Sequence, residues 1–114
     1  MLACIVVSIG VFLVGGMALA ASFGGTAGPD EISGNKRADT IRGLGGNDRL
    51  SGGGGADEIY GNGGSDRING NNGDDRLMVA DGNRDTVYCG SGTDYVYADV
   101  RDTVYYDGCE TVKR

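Results

Sequence analysis

Histidine is absent from this 114-residue chain. That removes Ser–His and Cys–His nucleophile pairs, which need an imidazole to take the nucleophile's proton. It also makes a zinc or copper cage a poor fit, since those ions draw on imidazole and thiolate ligands and the three cysteines, Cys4, Cys89 and Cys109, are scattered. An excess of positive charge is missing as well. A net charge of −6 argues against nucleic acid or an anionic membrane surface as a partner. Beyond the first stretch of the chain, large aliphatic side chains are too sparse for an amphipathic helix, which needs three or four in every two turns. The length allows one domain at most.

Glycine is plentiful, at 23 of 114 residues. Collagen is excluded because the glycine period is nine rather than three. Six nine-residue segments run without a gap from Gly25 to Met78: GTAGPDEIS, GNKRADTIR, GLGGNDRLS, GGGGADEIY, GNGGSDRIN and GNNGDDRLM. The first position is always Gly (Gly25, Gly34, Gly43, Gly52, Gly61, Gly70), and the fourth is Gly except at Arg37. The sixth is always Asp: Asp30, Asp39, Asp48, Asp57, Asp66 and Asp75. The eighth is Ile32, Ile41, Leu50, Ile59, Ile68 and Leu77. A strict short period marks a solenoid.

Each column implies a local structure. Glycines at the start of a unit oppose helix and allow a tight turn with positive φ. The last three residues, polar–apolar–polar, suit a short strand with its aliphatic side chain inward. Two units then complete one coil, and residues eighteen apart stack. Asp39, Asp57 and Asp75 share one edge, and Asp30, Asp48 and Asp66 share the other. Carboxylates stacked at a strand spacing of about 4.8 Å repel, by roughly 4 kcal/mol for unit charges 4 Å apart at an effective dielectric of 20. Lys and Arg are not placed to neutralise them, since the seventh position reads Glu31, Thr40, Arg49, Glu58, Arg67, Arg76. A hard cation with oxygen ligands would do so. Calcium accepts six to eight oxygens in flexible geometry, whereas magnesium demands a strict octahedron and keeps its waters.

The segments GLGGNDRLS, GGGGADEIY and GNGGSDRIN closely resemble the repeats-in-toxin (RTX, haemolysin-type) nonapeptide GGxGxDxUx, with U a large aliphatic residue. The resemblance is strong over about half the chain and looser toward the C-terminus, and GNKRADTIR departs from it at Lys36 and Arg37. It implies an all-β parallel β-roll, a right-handed solenoid of nine-residue half-turns with an irregular C-terminal cap. It also implies Ca²⁺ clamped between the loops of adjacent coils. The implied ligands are Asp30, Asp39, Asp48, Asp57, Asp66 and Asp75, with carbonyls of the turn glycines Gly43, Gly45, Gly52, Gly54, Gly61 and Gly63. One ion per eligible pair of stacked turns gives about four.

Residues 1–20 form an apolar stretch ending in Ala18-Leu19-Ala20. It reads as a secretory signal cleaved near Ala20, although no Lys or Arg precedes the apolar run. An uncleaved membrane anchor is the alternative, given a length close to that of a spanning segment. Residues 21–78 are then the calcium-binding roll and 79–114 degenerate repeats with a cap. In the latter, VADGNRDTVY is one residue longer than the repeat, CGSGTDYVY returns to nine, and ADVRDTVY is shorter. Asp85, Asp94 and Asp102 keep the acidic place there, and Val87, Val96 and Val104 the apolar one. Tyrosine becomes common, which fits strand formation and packing at the end of a solenoid. Loss of Cys4 with the signal leaves Cys89 and Cys109, which suggests one disulfide in an exported chain. The C-terminal segment also resembles that of small exported RTX-like proteins in which the two cysteines pair.

The expected function is a non-catalytic, exported calcium-binding protein whose folding is coupled to the ion. A unit with one aliphatic side chain buries too little apolar surface to offset ordering nine residues, glycines above all. Calcium bound only by the folded form shifts that balance. The alternative is a cell-surface adhesion or interaction protein that uses the roll as a rigid scaffold. No enzyme is expected, because the carboxylates are periodic rather than singular.

Overall fold

A computed structural model of the chain describes residues 5–7, 13–14, 17–18, 21–105 and 107–114. The signal-peptide reading falls mostly on residues 1–20, largely outside the described residues. Within that stretch the backbone shows β1 (Ile5–Val7), which pairs in parallel with Asp30, Glu31 and Ile32, and the antiparallel pair β2 (Leu13–Val14) and β3 (Met17–Ala18).

From residue 21 onward each unit contributes one short strand. They are β4 (Ser22–Gly24), β5 (Asp30–Ser33), β6 (Thr40–Arg42), β7 (Arg49–Ser51), β8 (Glu58–Tyr60), β9 (Arg67–Asn69), β10 (Arg76–Met78), β11 (Thr86–Tyr88), β12 (Asp94–Tyr97), β13 (Thr103–Tyr105) and β14 (Cys109–Lys113). Apart from the β2–β3 pair, odd-numbered strands make one parallel sheet, β1-β5-β7-β9-β11-β13, and even-numbered strands the other, β14-β12-β10-β8-β6-β4. This alternation is the β-roll expected from the repeat. The register sets Ile32 opposite Leu50 and Leu50 opposite Ile68, eighteen residues apart. Beyond the longer unit it stretches to nineteen, with Val87 opposite Ile68 and Val96 opposite Leu77.

The period of two along each strand turns the eighth position inward. Ile32, Ile41, Ile59, Ile68 and Leu77 have no exposed surface, and Phe23, Leu50, Val87, Val96 and Val104 continue the same columns. In the last coils Val79, Cys89 and Ala98 stand where the array has glycine, and they join the core. The seventh and ninth positions face out. There Tyr88 stacks on Tyr105 at 4.6 Å between centroids, and Arg42 and Arg67 lie over Tyr60 and Tyr88. The C-terminal tyrosines Tyr95, Tyr97 and Tyr105 are exposed, so they dress the sheet faces while valine fills the core. Cys89 and Cys109 form a disulfide, with Cα atoms 5.3 Å apart. It ties β14 to the coil below, beside the register shift between Asp94 and Tyr95.

Candidate metal centre

The sixth-position aspartates sit where turn becomes strand, and all are buried. From Asp39 onward each Oδ1 accepts the N–H of a residue one coil earlier, Ala21 in the case of Asp39, whereas Asp30 Oδ1 accepts the hydroxyl of Thr26 in its own turn. On one edge Asp30, Asp48 and Asp66 donate to Asp48, Asp66 and Asp85 at 2.8, 2.8 and 2.7 Å, and Asp85 donates to Asp102 at 2.9 Å. On the other, Asp39, Asp57 and Asp75 donate to Asp57, Asp75 and Asp94, each at 2.8 Å. Beyond Asp30, half of each carboxylate is thus spent on the ladder, and the other oxygen meets one of two surroundings.

These surroundings divide the turns into two kinds. In the first two units the Oδ2 is satisfied within its own turn: Thr26 N–H donates to Asp30 Oδ2, and Asn35 N–H to Asp39 Oδ2 at 2.7 Å. The Oδ2 atoms of Asp48, Asp57, Asp66, Asp75, Asp85 and Asp94 are buried without any hydrogen-bond partner. In every open turn but that of Asp85, whose second residue Ala80 is not left-handed, the difference goes with backbone conformation. In the turns of Asp48, Asp57, Asp66, Asp75 and Asp94 the second residue is left-handed: Leu44, Gly53, Asn62, Asn71 and Gly90 have φ of 66, 86, 62, 66 and 89°. Thr26 and Asn35 are not, and their N–H groups reach the carboxylate. The fourth position follows suit: Gly46, Gly55, Gly64 and Gly73 are left-handed, whereas Gly28, ahead of Pro29, and Arg37 are not. Arg37 has a Cβ that resists this conformation, and Asn35 Oδ1 instead caps its N–H at 2.7 Å.

The first-position glycine has a different purpose. None of the six has positive φ; the requirement is close approach. A Cβ on Gly52 would lie 2.5 Å from Asp57 Oδ2 and 2.8 Å from the Gly70 carbonyl oxygen. On Gly34 it would meet Asp39 Oδ2 and Gly52 O, and on Gly43 Asp48 Oδ2 and Gly61 O. The glycine Cα therefore floors a cradle in which a carboxylate oxygen and the carbonyl of the next coil come together. Of the glycines singled out from the sequence, Gly43, Gly52 and Gly61 turn their carbonyls toward such cradles. Gly45, Gly54 and Gly63 stack on Ala27, Lys36 and Leu44 of the coil before.

Electrostatics follow from this packing. Burial pushes the Asp66 carboxyl up to about 8; the N–H from Asp48 opposes the rise, and the charges of Asp85, Asp48 and Asp81 add to it. Burial likewise raises Asp57, Asp75 and Asp85 to about 7 and Asp48 to about 6, against the N–H each accepts, with neighbouring aspartates contributing. Asp94 and Asp102 are raised for the same leading reason. Charged carboxylates at these positions call for a countercharge. Buried oxygen donors, carboxylate and carbonyl together, form the donor set of a hard cation such as calcium, so the residues present fit the ion.

Among the described residues, one group of three carboxylates comes within 4.8 Å: Asp66, Asp81 and Asp85. Asp85 and Asp94 keep the acidic column in sequence but lie outside the perfect nonapeptides. Asp81 stands at the third position, where none of the six nonapeptides has an acid, in a turn one residue longer than theirs.

A β-roll that buries a column of half-satisfied carboxylates along each edge is a cation-binding solenoid. A model of the RTX calcium-binding nonapeptide repeat, in four copies, matches residues 24–59 and 51–85. Together these stretches cover more than half of the chain, which belongs to that family. No curated protein and no solved structure matches the chain.

Proposed function

We propose that this chain is a non-catalytic, exported calcium-binding protein in which ions between stacked turns couple folding to calcium. The observation that carries the reading is the set of buried Oδ2 atoms without partners. An unpaired charge in such a place strongly opposes the fold unless an ion meets it. The unpartnered oxygens make four stacked pairs, Asp48/Asp66 and Asp66/Asp85 on one edge and Asp57/Asp75 and Asp75/Asp94 on the other. Four pairs support four ions. Asp30 and Asp39, satisfied within their turns, contribute less. The chelated array is largely disordered near neutral pH, and millimolar calcium orders it. Far-UV circular dichroism of the full chain during a calcium titration tests this; a β-rich spectrum in excess chelator at pH 8 would refute it.

Export is supported by the apolar residues 1–20 with Ala18-Leu19-Ala20 and by the Cys89–Cys109 disulfide, which suits an oxidising compartment. In this reading residues 1–20 are removed, 21–78 carry the regular roll and 79–114 close it. Among the described residues no helix is long and apolar enough to cross a membrane. The second reading, a surface-interaction protein on a calcium-stiffened scaffold, draws support from the groove on the outer face of the odd-numbered sheet. Glu31, Arg49, Arg67 and Tyr88 line it. Calcium-dependent capture of a cell-envelope component by the full chain, lost on Arg49→Ala with Arg67→Ala, would favour that role.

A further inference from the structure

The turn from Val79 to Asp85 breaks the nonapeptide by one residue, and the break changes its chemistry. It stacks on the turn of Asp66: Asp66 N–H donates to Asp85 Oδ1 at 2.7 Å, and a Cβ on Gly61 would sit 3.5 Å from Val79 Cγ1. Counting from the first position, Asp81 occupies the place that Gly63 holds in the turn below. A glycine there offers only its backbone; Asp81 offers a carboxylate. Its Oδ1 accepts the Asn83 N–H at 2.8 Å, which holds the side chain over its own turn and within 4.8 Å of Asp66 and Asp85.

An acidic cluster alone says little, since exposed carboxylates gather in many proteins without an ion. Here two of the three are 3% and 0% exposed, and each has a buried Oδ2 with no partner. Neighbouring acids do not share the role: Asp99 Oδ2 accepts the Gly82 N–H at 2.7 Å, and Asp102 Oδ2 accepts the Asp99 N–H at 2.7 Å. The turn lies where the regular array meets the disulfide-bonded end of the chain, since Cys89 follows β11 directly.

We infer that Asp81 turns the Asp66/Asp85 pair into a three-carboxylate divalent-cation site, unlike the two-aspartate sites of the other stacked turns, one that binds calcium more tightly than they do. The repeat turns bring two aspartates to each pair of coils; this site brings three. Carboxylate count and rigidity are what tune calcium affinity in oxygen sites. Asp81, exposed at the mouth, supplies the additional charge without adding a buried one. The inference rests on the calcium reading above.

Native mass spectrometry and isothermal titration calorimetry with calcium chloride, on the full chain, test it. Wild type, Asp81→Asn and the control Glu31→Gln are compared, the last removing an exposed charge on β5. Asp81→Asn keeps an oxygen for the Asn83 N–H, so the turn stays folded. Wild type and Glu31→Gln should fill one ion at lower calcium than the rest. Asp81→Asn should lose that first event, with affinity weaker by about tenfold, and keep the later ions and the saturated dichroism spectrum. Several ions bound identically by wild type and Asp81→Asn would overturn this site alone. A wild type that takes up no calcium would overturn the site and the calcium reading together.

Discussion

Replacing Asp75 by Asn separates the two tasks of its carboxylate. Oδ1 accepts the Asp57 N–H at 2.8 Å, and an amide oxygen can keep that bond. Oδ2, fully buried and unpartnered, is the atom that the proposed function offers to a cation. Asp75 belongs to two of the four open pairs, with Asp57 and with Asp94. A ligand that binds only the folded state contributes about 2.7 kcal/mol at a hundred times its dissociation constant. Weakening two such sites removes up to about 5 kcal/mol, enough to lower the thermal midpoint by roughly 20 °C. Asp57→Asn touches one open pair and should cost about half as much. Asp39→Asn, at a carboxylate already satisfied by Asn35 N–H, should change little. In chelator at pH 8 the sign reverses: Asp75→Asn removes a buried, uncompensated charge and does not destabilise what order remains. Thermal melts followed by circular dichroism, in saturating calcium and in chelator, read all of this. Equal loss with and without calcium, or an Asp39→Asn as damaging as Asp75→Asn, would refute the reasoning.

Other outcomes follow from the same packing. Burial holds the carboxyls of Asp48, Asp57, Asp75, Asp85 and Asp66 at about 6, 7, 7, 7 and 8, well above the value of about 4 in an unfolded chain. The chelated fold therefore binds more protons than the unfolded chain between those values. Its stability is greatest below about pH 4 and is lost as pH rises through 6 to 8. Chelated protein should show more β-structure at pH 5 than at pH 8, and apparent calcium affinity should fall over the same descent. Gly52→Ala would set a Cβ 2.5 Å from Asp57 Oδ2; such overpacking costs about 1–3 kcal/mol, and denaturant midpoints in calcium should show it. Ile59→Asp puts a charge on a side chain with no exposed surface and should prevent ordering at any calcium level, read by the same dichroism titration. Reducing the Cys89–Cys109 disulfide, which closes twenty residues, should cost about 3 kcal/mol in urea unfolding at fixed calcium.

The Ile/Leu column and the invariant Asp made the roll legible in the sequence, because each strand has one inward side chain and any other register would expose it. The pairing of residues eighteen apart, and its continuation through Val87, Val96 and Val104, came from the same column. Finer distinctions were hidden. A first-position and a fourth-position glycine look alike in sequence, yet Gly52 answers to the space around a carboxylate and Gly55 to a φ of 83°. Asp30 and Asp39 stand in the acidic column as Asp48 does, with only Lys36 and Arg37 setting the Asp39 turn apart in sequence. Only the conformations of Thr26 and Asn35 reveal that their Oδ2 atoms already have donors. Asp81 escaped notice because the third position is a variable column of the motif, and nothing in the spacing shows that an acid there comes within 4.8 Å of Asp66 and Asp85.

Diffraction from crystals of the full chain grown in calcium, measured at a wavelength where calcium scatters anomalously, addresses the ligand assignment most directly. Peaks should stand beside the Oδ2 atoms of Asp48, Asp57, Asp66, Asp75, Asp85 and Asp94, and be missing beside Asp30 and Asp39. Anomalous density confined to the exposed surface, with those six oxygens facing only protein, would contradict it.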